Sequence, residues 1–138
     1  MSRDAAITLT WGDGDYVFRL AWGEIVMLQE ATDSGPPEIL KRLEQDRWRV
    51  EDISSIIRIG LIGGGLEPIQ ALKLTRTYVE SRPPYENLHV AHAILMAGIV
   101  GAPDEDRLKK NGDPIPETAS TPSQTENSEL PQSMQPAP

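Results

Sequence analysis

Residues 51–65 read EDISSIIRIGLIGGG, and this stretch decides the fold. Ile53, Ile56, Ile57 and Leu61 fall at i, i+3, i+4 and i+8, which puts a narrow apolar stripe on one side of a helix. Gly63, Gly64 and Gly65 follow, and residues without a β-carbon have no helical preference, so the helix is expected to end in them. A glycine-rich loop can also bind phosphate. Here, however, the glycines follow a helix, no Lys-Ser/Thr pair comes after them, and Glu67 stands close by, so helix termination is the reading. Just upstream, WRVED at residues 48–52 reads as an extended connector ending in a helix cap, with Asp52 set to accept bonds from the amides of the next turn.

Toward the N-terminus, Pro37 suits the first position of a short helix, EILKRLEQD, whose Ile39, Leu40 and Leu43 can face a core. Before it, Ala21, Ile25 and Leu28 form one helical stripe, with Trp22, Val26 and Gln29 beside it, until DSGPP at residues 33–37 stops the helix. Earlier still the period changes to two. Ile7, Leu9 and Trp11 alternate with Thr8 and Thr10, and after GDGD, Tyr16, Phe18 and Leu20 alternate with Val17 and Arg19, which reads as a β-hairpin. Asp13 and Asp15 lack the remaining ligands of a calcium loop, so a plain turn is expected.

Downstream, Glu67-Pro68 opens a helix with Ile69, Leu72 and Val79 spaced for burial, ended by Arg82-Pro83-Pro84. A last helix runs from about Tyr85 to Val100 with Leu88, Ala91, Leu95 and Ile99 on one face, closed by Gly101 and Pro103. The expected class is α+β, mainly α: an N-terminal β-hairpin followed by about five short helices, as one domain over residues 1–101. Residues 101–138 hold seven of the twelve prolines, no aromatic residue and no valine, so residues 102–138 are expected to be a disordered Pro/Ser/Glu-rich tail.

Composition excludes several classes. With no cysteine among 138 residues, disulfide scaffolds, thiol catalysis and Cys-ligated metals are ruled out. A net charge of −8 disfavours a nucleic-acid partner. The longest apolar stretch, residues 93–100, is far short of a membrane span, and the acidic start reads as no export signal, so a cytoplasmic protein is expected. His89 and His92 have a spacing that suits a metal, but the nearest carboxylate, Glu86, leaves an open shell, so a partly exposed helix face is the reading. Ser54-Ser55 lies within an aliphatic helix, and the Glu51-Asp52 pair is explained by capping. Pro83-Pro84-Tyr85 lacks the spacing of a proline-rich ligand. No enzyme, cofactor or metal is expected.

The order of pieces, YVFRL, then AWGEIVMLQEATDSGP, then WRVEDISSIIRIGLIGGG, then a helix, a break and LHVAHAILMAGIVG, resembles the small tail proteins of gene transfer agents and related tailed phages, which are grouped with phage tail assembly chaperones. The resemblance spans roughly residues 9–101. It implies a chaperone that holds the apolar tape-measure protein soluble in the host cytoplasm while tail tube subunits polymerise around it. The partners would be the tape-measure protein and the tail tube protein, with no nucleic acid and no membrane. Client binding would then use an exposed apolar face, for which Trp22, Ile25, Trp48, Leu61 and Ile62 are the candidates, each with the alternative of serving as core. The competing class is a structural tail component, whose hairpin edge would pair with a neighbouring subunit. A mostly helical chain favours the chaperone and a mostly stranded one the tube.

Overall fold

Alternating apolar residues around a two-residue turn give β1 (Ala6–Trp11) and β2 (Gly14–Arg19), an antiparallel hairpin with Ile7 opposite Phe18 and Leu9 opposite Tyr16. The turn is Gly12-Asp13, with Gly12 at φ +61°, a conformation that glycine reaches without penalty. The computed structural model describes residues 5–102. The expected disordered tail lies outside the described residues, apart from Ala102. Five α-helices follow the hairpin, as expected: α1 (Trp22–Thr32), α2 (Pro36–Glu44), α3 (Val50–Gly63), α4 (Pro68–Thr75) and α5 (Leu88–Val100). A π-helical turn, Arg76–Glu80, continues α4, and a 3₁₀ turn, Pro84–Asn87, leads into α5.

The helix that decides the fold is also its axis. α3 packs against β2, α1, α4 and α5, and it buries Ile53, Ile56, Ile57, Ile59 and Leu61 together with Asp52, Ser55 and Gly60. The narrow stripe read from spacing is therefore too narrow, because α3 has neighbours on several sides. Its glycines also do more than stop it. An added Cβ on Gly63 would stand 1.9 Å from the carbonyl oxygen of Arg19, and one on Gly64 would stand 2.0 Å from that of Val17. The end of α3 thus lies directly on the backbone of β2. Only Gly65, at φ +112°, has the backbone conformation that breaks the helix.

Asp52 is not the cap residue. Arg49 is, and Asp52 is the third residue of α3, reaching back to accept from the Arg49 amide at 2.8 Å. Buried Asp52 also accepts a forked pair of bonds from Arg42 of α2, Nη2 to Oδ1 at 2.8 Å and Nε to Oδ2 at 3.1 Å. This bond holds the Arg42 guanidinium above its ordinary pKa. Arg42 Nη1 donates to Ser34 Oγ and Arg49 Nη2 donates to the Thr32 carbonyl, so one ionic cluster fastens the end of α1, the body of α2 and the start of α3.

Two faces differ from expectation. In α4, Ile69 is 67% exposed; Val79, in the π turn, is buried as expected, but the row that leads to it is Ala71 and Thr75, small or polar residues that hydropathy passes over. In α5, Ile99 turns partly outward while Val90, Ala91, Ile94, Leu95 and Ala97 are buried, because a helix apolar on nearly every side does not declare a face. The hairpin is tied to these elements by buried Asn87. Its Oδ1 accepts from Trp11 Nε1 and its Nδ2 donates to the Tyr78 carbonyl in the π turn, both at 2.8 Å. Trp11 also meets the Tyr16, Phe18 and Tyr78 rings edge-on at 5.6–5.7 Å.

Candidate functional site

α1 starts where Leu20 fixes the chain in the core. Gly98 of α5 approaches so closely that an added Cβ would stand 2.8 Å from Leu20 Cβ. Glu24 Oε1 accepts from the Ala21 amide at 3.1 Å and closes the first turn. With that phase set, Leu28 and Thr32 point inward and Ile25 packs at the margin of the core. The opposite face has no cover among the described residues. Trp22 is 84% exposed, and Val26 and Met27, at i+4 and i+5, are also exposed. Glu30 and Asp33 continue this face one and two turns on, and α1 carries no Lys or Arg. The outward face of α1 is thus apolar in its first half and acidic in its second.

The five candidate residues do not gather in one place. Trp22 and Ile25 share α1, but only Trp22 stands free. Leu61 is 1% exposed, a core residue and no part of the surface, and Ile62 beside it packs half-buried against the core. Trp48, in the connector before α3, is half-buried against the core and meets Tyr85 edge-on at 5.1 Å. Its indole N–H is buried without a hydrogen-bond partner among the described residues. Val26 is legible as a neighbour of the α1 stripe, whereas Met27 is not, since spacing alone does not say how wide the covered face is.

His92 Nε2 lies 2.9 Å from Glu44 Oε2 of α2, a pairing that joins residues 48 positions apart and that local spacing has no means of showing. The pair and His89 border an open groove of about 400 Å³ whose other walls are Leu43, Tyr85 and Leu88. Among the described residues, no group of three or more His, Asp or Glu side chains is placed to hold a metal ion. A second groove, of about 300 Å³, lies between the first turns of α3 and the π turn, lined by Val50, Ile53, Val79 and Arg82 among others. No helix among the described residues is long and apolar enough to cross a membrane.

No curated protein and no solved structure matches the chain. A family model does: it is described as phage tail tube protein, GTA-gp10, and it matches residues 4–101, which takes in every element from β1 to α5. On that match, over more than two thirds of its length, the chain belongs to the phage tail tube protein, GTA-gp10 family.

Proposed function

We infer that the protein is a non-catalytic component of a phage or gene-transfer-agent tail that works by docking on other tail proteins. The family description, a tail tube protein, supports a structural component over the tape-measure chaperone that the resemblance implied. The observation that carries a docking role is Trp22, a large apolar side chain left 84% exposed beside Val26 and Met27 on an ordered helix. Other tail proteins are the partners that the family description favours.

One observation favours the chaperone as a second reading. The described residues hold a single two-stranded sheet and five α-helices, whereas a tube wall is expected to be built mainly of strands. Quantifying the chain in washed particles, alongside co-expression with the tape-measure protein, separates the two. Retention at a fixed ratio to the tube subunit is the expected result for a structural component. Absence from particles together with a raised soluble yield of the tape-measure protein would transfer the role to the chaperone, and absence of both effects would overturn both readings.

A further inference from the structure

We propose that the outward face of α1 is a docking site for an amphipathic helix of another tail protein, one whose apolar row is flanked by Lys or Arg. The proposal rests on the tail reading above for the source of the partner, but its chemistry comes from α1 itself. The first half of α1 is apolar on both sides, and among the described residues only one of those sides is covered. The uncovered side begins with Trp22, Val26 and Met27, which suit the apolar anchors of a partner helix. It ends with Glu30 and Asp33, both exposed and neither in an ion pair among the described residues. α1 itself carries no cation, and Arg49, which reaches the Thr32 carbonyl from α3, forms its ion pair with Asp52, so a partner's Lys or Arg would supply Glu30 and Asp33 with the pairing they lack among the described residues.

A second copy fits less well. Two α1 helices side by side in parallel would set Glu30 and Asp33 against the same residues, and in antiparallel they would lay the Trp22 half on the acidic half. A net charge of −8 adds repulsion between copies. The partner is therefore a different chain with a cationic flank.

The test uses the full chain and two labelled synthetic helices of about 20 residues, long enough to be helical alone, that share one leucine row and carry either Lys or Glu beside it. Fluorescence anisotropy at low and high salt reads the binding. The Lys peptide is expected to bind at least about ten-fold tighter than the Glu peptide, with the advantage shrinking as salt rises. Trp22→Ala is expected to weaken it by about ten-fold or more with an unchanged melting temperature, since Trp22 buries little in the fold. Glu30→Lys combined with Asp33→Asn, which keeps a residue tolerant of the left-handed backbone at position 33, is expected to remove the preference for the Lys peptide. Equal binding of the two peptides, or an unaffected Trp22→Ala variant, would overturn the proposal, as would a dimer in sedimentation that Trp22→Ala dissolves. The particle measurement fails independently: peptide discrimination by a protein that neither stays in particles nor raises the soluble yield of the tape-measure protein would sink the tail reading and leave the site standing.

Discussion

Three glycines in a row look alike in a sequence, yet two of them lie against the β2 backbone and the third, Gly65, stands in open space at φ +112°. At Gly63 and Gly64 a methyl group would meet the Arg19 and Val17 carbonyls at 1.9 and 2.0 Å, and a strand backbone cannot rotate aside as a side chain can. Gly63→Ala and Gly64→Ala are each expected to cost at least about 3 kcal/mol, the upper end of ordinary overpacking, as read by urea denaturation; a loss under about 1 kcal/mol would mean that α3 does not lie on β2 as described. Gly23 is the internal control. It sits in α1 with nothing within 4 Å of an added Cβ, so Gly23→Ala should stabilise by about 0.5–1 kcal/mol. At Tyr16 the hydroxyl donates to the Asp13 carboxylate, which, ahead of desolvation, raises its pKa above the ordinary 10.0. The neutral phenol is the bonded form, so the bond is fully present below the ordinary value and is lost as pH rises through the raised one. Absorbance titration should show a late phase that Asp13→Asn moves to lower pH. The run Gly63–Gly65 was legible as a helix end because residue type reports local backbone preference. The contact with β2 was not, because a sequence carries no record of what stands opposite.

Among the elements, the hairpin and all five helices follow from periodicity and from their proline and glycine stops, since both signals act within a few residues of the chain. What escaped reading was set by long-range contact. The ion pair of Arg42 with Asp52 joins α2 to α3, and it turns an expected cap residue into a buried anchor. The buried row of α4 runs through Ala71 and Thr75 because small residues let helices approach, a preference that hydropathy does not weigh. The π turn and the Asn87 bridge were likewise invisible, though they fix where the hairpin sits. Asn87→Ala would leave the Trp11 indole N–H and the Tyr78 carbonyl without partners, at a cost of about 1–3 kcal/mol, and hydrogen exchange of the hairpin amides should speed up more than that of α2. Asn87→Asp keeps an acceptor for Trp11 but removes the donor to Tyr78 and adds a buried charge, so it should be no better than alanine. Protection of the hairpin unchanged in both variants would show that the strands are held by apolar packing alone.

For the whole molecule, exposure is what the sequence conveys least among the five candidate residues. Trp22 stands out as an exposed apolar anchor, Leu61 belongs to the core, and Ile25, Trp48 and Ile62 lie between, because an apolar residue on a helix reads the same whether a neighbour covers it or not. The domain limit carries the last prediction. The composition of residues 103–138 motivates the proposal that the domain ends without them, and Ala102 is the last described residue buried with it. A chain cut after Ala102 should therefore melt within about 4 °C of the full chain, since a shift of about 4–8 °C corresponds to 1 kcal/mol in a domain of this size. A cut before Gly101 is a sharper probe, because the Gly101 amide closes the end of α5 on the Ala97 carbonyl at 2.9 Å and Ala102 goes with it. That shorter chain should melt measurably lower than the first. If both cuts lower the melting temperature by the same large amount, residues 103–138 contribute to stability and the boundary lies elsewhere; if neither does, the Gly101–Ala97 bond and the burial of Ala102 add nothing measurable to the stability of the domain.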